Sequence, residues 1–230
     1  MILDIISQIR AGGNIPFAII QTLFCLVIVL FSLSLHETAH GFIAYKMGDP
    51  TARNLGRLSL NPVKHLDPIG FLCMLVAGFG WAKPVPINTR YFNNPRRGMA
   101  ISAAAGPISN LLLAMLCIVV IRFIFFFWTS ASLALELMVI FFWMAAYMNI
   151  TLAVFNLFPI PPLDGSRLFY VFLPPRLYFG VMKYERIISI VIMVLLITGI
   201  LSPVISFVAD GILYGMLRLV GLGQYIGFLF

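Results

Sequence analysis

Apolar and polar positions along this chain fall into long blocks. Ile15 to Leu35 carries no charge and few polar groups. Comparable runs occupy about Gly98 to Phe127, Ser132 to Phe158 and Ile187 to Val208. Each approaches or exceeds the roughly 20 residues a helix needs to cross hydrocarbon. The pattern predicts four membrane-spanning helices, the first from about Pro16 to Lys46. A last apolar stretch, Ile212 to Phe230, is broken by Gly215, Gly221 and Gly223 and interrupted by Arg218. It suits either a fifth span or a helix lying in the interface.

Between the first two runs the texture changes. Asp49 to Pro68 mixes Pro, Gly and Asn with five charged residues, and Leu58-Ser59-Leu60 alternates. A loop with short strands is expected there. Phe71 to Trp81 is apolar but too short to span, and Lys83-Pro84-Val85-Pro86-Ile87-Asn88 cannot be helical. Such backbone beside a membrane is tolerated only where protein or a watery cavity satisfies it, which predicts a re-entrant segment next to a functional site. The expected fold class is an all-α polytopic membrane protein. It would have four to six transmembrane helices and a short re-entrant or β segment between the first two core helices. With no internal repeat or linker, residues 1–230 read as one domain with its core at about 16–173.

Composition supports the block pattern. Of 230 residues 61% are hydrophobic and 10% charged, with a mean hydropathy of +1.03; a soluble domain carries about 25% charged residues. The net charge of +7 does not point to nucleic acid, because the basic residues flank apolar runs instead of clustering with stacking aromatics. Eight Lys/Arg lie from Lys46 to Arg97, and Arg167, Arg176, Lys183 and Arg186 follow the third run. The Trp128 to Ala131 link has none. The positive-inside rule then places both basic loops, and the C-terminal end of the first span, on the cytoplasmic side. Arg122, near the outer end of the second span, can snorkel to the interface. Met1 to Arg10 lacks a basic n-region, so the first apolar segment is expected to be retained. Cys25, Cys73 and Cys117 are scattered through apolar runs and read as packing residues, not as a disulfide or cysteine-metal framework.

Candidate chemistry sits where the first run ends. In His36-Glu37-Thr38-Ala39-His40, helical spacing puts two imidazoles on one face, able to ligate one zinc, with the Glu between them placed as general base toward water. Ionisable groups in or beside a span are costly unless paired or coordinated. A catalytic zinc takes three protein ligands, so a third must come from elsewhere. Asp164 is favoured by position, since it follows the third span on the same side as His40. Prolines 159, 161 and 162 and Gly165 shape its approach. The competing role for Asp164 is as the N-cap of a helix beginning near Ser166. His65 and Asp67 are weaker candidates, in a polar loop expected to meet water, and Glu136 falls near the outer end of its span.

Three elements, in order, resemble the site-2 protease family of intramembrane zinc metalloproteases (peptidase family M50). They are His36-Glu37-Thr38-Ala39-His40-Gly41, Gly106-Pro107-Ile108-Ser109-Asn110, and the stretch from Asn156 through Pro159 to Leu163-Asp164-Gly165. They cover most of residues 30–170. The likeness is to small bacterial members without a PDZ domain or CBS pair. It implies one catalytic Zn2+ held by His36, His40 and Asp164, with Glu37 as general base and acid. Asn110 and Asn156 would contact substrate or an oxyanion, although an Asn in a span also serves to hydrogen-bond neighbouring helices. Asn149 reads as packing. Trp81 to Asn88 resembles the family's membrane-associated β segment, whose edge can pair with an unwound peptide. The implied activity is hydrolysis of peptide bonds within transmembrane segments of single-span client proteins, at a bacterial cell membrane, with the site toward the cytoplasm. Two other readings compete. A zinc transporter would want acidic or histidine residues along the outer halves of the spans, where little exists beyond Glu136. A non-proteolytic zinc-binding scaffold would not need Glu37.

Overall fold

The computed structural model describes residues 12, 14–77, 80–127, 132–174, 177, 180 and 183–223. In order, its helices are α1 (Ile15–Lys46), α2 (Thr51–Asn54), α3 (Pro68–Ala77), α4 (Pro95–Phe126), α5 (Leu133–Asn156), α6 (Asp164–Phe169), α7 (Glu185–Ile197) and α8 (Ser202–Leu219). Four of them, α1, α4, α5 and α8, are long and apolar enough to cross a membrane. The chain is a multi-pass, all-α membrane protein.

Both longest helices start in the same way. The Asn14 side chain accepts the Phe17 N–H at 3.2 Å, and the Asn94 side chain accepts the Arg97 N–H at 3.2 Å. In each case a proline sits in the first turn, where its missing N–H costs nothing. Each helix has 32 residues, about 48 Å at 1.5 Å per residue, so its ends reach beyond a hydrocarbon core of roughly 30 Å.

Helix α4 packs against both α1 and α5, α1 also meets α5, and α8 closes against α5. Ile28, Ile118, Ile121, Ile150 and Leu213 fill the centre. Toward the start of α4 the buried residues turn small, with Ala100, Ala103, Ala105 and Gly106, which lets helix backbones approach closely. The outer surface is apolar too: Leu23, Val27, Leu112, Leu116 and Phe123 are each more than half exposed. Lipid, not water, satisfies such a face.

The structure departs from the sequence expectation in two regions. The expected span from Ile187 to Val208 is split. Gly199 adopts φ +73°, a left-handed conformation that ends a helix readily only at glycine. Helix α7 therefore stops at Ile197 after 13 residues, about 20 Å and too short to span. The spanning helix is α8, and Ile212 to Leu219 of the expected tail segment form its last part; residues 224–230 lie outside the described residues. The second departure is the loop. No strand forms among the described residues, and Leu58 to Leu60 pairs with none; the one ladder contact is an antiparallel bridge between Leu66 and Ala82. Pro84 and Pro86 supply no N–H to extend it. The short apolar run is helix α3, started by the Asp67 side chain accepting the Gly70 N–H at 2.8 Å. The extended segment 82–88 then runs back beneath the end of α1.

Candidate active site

Helix α1 carries His36 and His40 one turn apart, both buried, with ring centroids 4.5 Å apart and the rings nearly perpendicular. Their Nε2 atoms lie 2.9 Å from each other. Asp164 Oδ2 is 3.1 Å from each of them. Two elements distant in sequence, α1 and the start of α6, thus bring three donor atoms to one point.

The proton inventory of this cluster fits a metal. His40 Nδ1 lies 2.7 Å from the Ser102 carbonyl, which can only accept, so Nδ1 carries the proton and Nε2 offers a lone pair. That lone pair faces the carboxylate oxygen and the second imidazole nitrogen. At most one proton, on His36, could sit among these three acceptors, whereas a dication satisfies all of them. Two imidazole nitrogens and one carboxylate oxygen form a usual donor set of catalytic zinc. Among the described residues this is the one group of three close metal-ligating side chains.

Glycines make the convergence possible. A Cβ on Gly106 would stand 2.4 Å from His40 Nε2 and 2.6 Å from His36 Cε1, so any side chain on this turn of α4 would enter the ligand cluster. Pro107 follows inside the helix and leaves the Ala103 carbonyl without its helical donor. A Cβ on Gly165 would fall 2.2 Å from the Leu157 carbonyl oxygen. The chain after α5 therefore folds tightly back on the start of α6. Helix α6 begins at Asp164 itself, so this residue does not cap a later helix. Its carboxylate turns to the two imidazoles.

The other expected residues fall as follows. Glu37 is half-buried and lines the cleft with His36, His40 and Asp164. Its Oε2 accepts the Val85 N–H at 2.7 Å, and its second oxygen has no hydrogen-bond partner among the described residues. Asn156 lines the same cleft, and its Nδ2 donates to the Leu152 carbonyl at 2.9 Å. Asn110 is not brought there. It is fully buried in α4, with neither polar atom partnered among the described residues. Asn149 does more than pack, since its Nδ2 donates to Ser32 Oγ at 2.9 Å and ties α5 to α1. His65 was expected to meet water, yet it is buried at 2% exposure. Its ring lies 2.6 Å from the Ser59 carbonyl, which also accepts Thr38 Oγ1 at 2.8 Å. His65 thus braces the loop against α1, and Asp67 caps α3; neither joins the cluster of His36, His40 and Asp164.

The cleft has a volume of about 380 Å³ and mostly apolar walls. Leu33 of α1, Leu152 and Phe155 of α5, and Ile192, Met193 and Leu196 of α7 contribute them. A second cavity of about 520 Å³ shares Leu33, Gly80, Leu152, Phe155 and Leu196 with the first. The two are adjacent, and both are lined in part by α1, α5 and α7. Sequence reasoning missed the Ser102 carbonyl and the Val85 N–H, because a backbone group leaves no trace in residue type. The spatial meaning of Gly106 was equally hidden, although its motif was visible.

Known proteins similar to this chain share one family description. The family model described as Peptidase family M50 matches residues 126–201, which include Asn156 and Asp164. YwhC of Bacillus subtilis (strain 168), whose name assigns it provisionally as a zinc metalloprotease, is 38% identical over 195 residues, covering 83% of this chain and 89% of that protein. Rip2 of Mycolicibacterium smegmatis, named in the same provisional way, is 31% identical over 218 residues, covering 86% and 80%. Rip2 of Mycobacterium tuberculosis (strain H37Rv) is 31% identical over 227 residues, covering 93% and 81%. No solved structure matches the chain significantly.

Proposed function

The chain belongs to peptidase family M50, the site-2 protease family of zinc metalloproteases, and from that premise we propose that it hydrolyses peptide bonds within transmembrane segments of single-span client proteins. The observation that carries this reading is the position of the three-ligand cluster and Glu37 in an apolar groove between membrane-spanning helices. At about 1.5 Å per residue the rise from Ile15 to His36 is roughly 31 Å, close to the full hydrocarbon thickness. That supports a site near one membrane face. The basic residues of 46–97 favour the cytoplasmic face of a bacterial cell membrane.

His36, His40 and Asp164 would hold the zinc. When bound, the ion supplies Lewis acidity toward a scissile carbonyl and lowers the pKa of water to about 7. The remaining work falls to the chain. Glu37 takes the proton from the attacking water with the oxygen left free of Val85, then delivers it to the leaving nitrogen. Ser102 fixes the His40 tautomer. Asn156 stands where it can hydrogen-bond substrate backbone. The apolar walls exclude bulk water and accept a client helix that has unwound locally, since a helical peptide bond is not accessible to attack. The extended segment offers less than a full pairing edge to such a peptide, because Pro84 and Pro86 lack N–H groups and the Val85 N–H is already given to Glu37.

The test is cleavage of tagged single-span helices, with and without central Gly, Pro or Asn, by detergent-purified wild type and by Glu37→Gln. Cleavage inside the span that chelation and Glu37→Gln both abolish supports the reading. A folded, zinc-loaded wild type that cleaves none of them, while cutting soluble peptides, would refute it.

A further inference from the structure

Arg57 lies in the loop after α2, 20 positions from Glu37 and away from every ligand motif. Its Nη2 donates to the Lys83 carbonyl at 2.7 Å and to the Pro84 carbonyl at 3.3 Å. The Pro84 carbonyl belongs to the same planar peptide group as the Val85 N–H. That N–H donates to Glu37 Oε2 at 2.7 Å. One peptide unit therefore has a guanidinium on its oxygen and the carboxylate of the general base on its nitrogen. Hydrogen bonds to charged groups are shorter and stronger than neutral ones, and chains of them polarise one another.

We propose that Arg57 is a positioning residue for Glu37, acting through the Pro84–Val85 peptide. It holds the base carboxylate in one orientation, with Oε2 engaged and the other oxygen directed to water. The inference rests on Glu37 being the base of the proposed reaction.

The rest of the loop fits this role. The extended segment is anchored on both sides of the relay. The Lys83 N–H donates to the His65 carbonyl at 2.8 Å, and the Asn88 N–H donates to Asp49 Oδ2 at 2.6 Å. Asp49 is fully buried at the end of α1, and its Oδ1 accepts from Thr51. Val85 itself is buried, with its side chain over Gly41; a Cβ there would lie 2.9 Å from Val85 Cγ1. Little freedom remains for the 84–85 peptide to rotate while Arg57 holds both carbonyls. Both bonds come from the one Nη2 atom; a lysine could bring a single ammonium to the same carbonyls but lacks the planar guanidinium that presents it in a fixed direction.

Two measurements on the full-length protein test the relay. The first is steady-state cleavage of a transmembrane client by wild type, Arg57→Gln and Arg57→Lys, with zinc content determined on each preparation. Misplacing a catalytic group by about an ångström can cost on the order of 100-fold in rate. Arg57→Gln should therefore lose about 10- to 100-fold in kcat with KM and zinc content held within about twofold, and Arg57→Lys should recover part of that loss. Unchanged kcat in Arg57→Gln, or a loss of kcat matched by loss of zinc, overturns the proposal. The second measurement needs no turnover, so it stands even where the protease reading fails. Hydrogen exchange is followed in the peptide spanning Lys83 to Asn88 for wild type, Arg57→Gln, Glu37→Gln and the double variant. Proline leaves few amides there, so the signal is simple. The relay requires non-additive effects on exchange, because the two charges act on one peptide group. Additive effects would make Arg57 a loop clamp only and overturn the proposal.

Discussion

From Ile19 to Phe31, α1 turns Ile19, Leu23, Val27 and Phe31 outward at i, i+4 spacing and buries Ile28. From Ser32 to His40 the same helix buries Ser32, Ser34, His36 and His40. One end is apolar outside and apolar inside; the other is polar inside. The first end is held by nonspecific packing in lipid, where many apolar side chains serve equally well. The second end survives only because most of its buried polar groups have assigned partners. Ser34 Oγ donates to the Leu30 carbonyl, Ser32 accepts from Asn149, and His40 donates to Ser102. Substitutions should therefore be tolerated at one end and punished at the other.

The sharpest break in this comparison is at the base. Glu37→Gln should keep the fold and the zinc while losing about 10²- to 10⁴-fold or more of turnover, read as client cleavage beside metal analysis. Substantial residual cleavage would remove Glu37 from the mechanism. Asp164→Ala should come next, losing most bound zinc because two imidazoles alone hold the ion weakly. Stoichiometric zinc in that variant would exclude Asp164 as a ligand. Gly106→Ala sharpens the contrast further, since its methyl would enter the ligand cluster. Gly215→Ala, which meets nothing within 4 Å, is its control. The first should lose zinc and activity and the second neither; equal behaviour would mean that α4 can withdraw from the imidazoles.

Smaller effects remain to be seen within the membrane. Asn149→Ala removes the link to Ser32 and should cost about 1 kcal/mol, the scale of interhelical hydrogen bonds in membranes, visible as a lowered midpoint in thermal or denaturant unfolding. Val27→Ala, on the lipid face, should stay within about 0.5 kcal/mol and leave zinc content unchanged. A larger loss at Val27 than at Asn149 would invert the comparison between the two ends of α1.

Much of this molecule is decided by residue types acting locally. The long apolar runs determine α1, α4 and α5, because hydrocarbon admits only backbone that satisfies itself. Asn14 and Asn94, each with a proline within the next two residues, fix where two of those helices begin. The i, i+4 spacing of His36 and His40 needs only a helix to set both imidazoles on one face. The third partner of that pair was legible in part, from the prolines and Gly165 around Asp164. Other features depended on which surfaces meet. Gly199 looked like any glycine in an apolar run, and its positive φ, with Pro203 in the first turn of α8, separates α7 from α8. His65 read as a loop histidine until the loop folded under α1 and buried it. Asn110 and Asn156 were equivalent as sequence, and helix packing put only Asn156 in the cleft. The contact between Arg57, a single peptide group and Glu37 could not be read at all. It joins two side chains from different segments through the backbone of a third, and hydrogen bonds to backbone groups are chosen by tertiary approach, not by the identity of the residues that carry those groups.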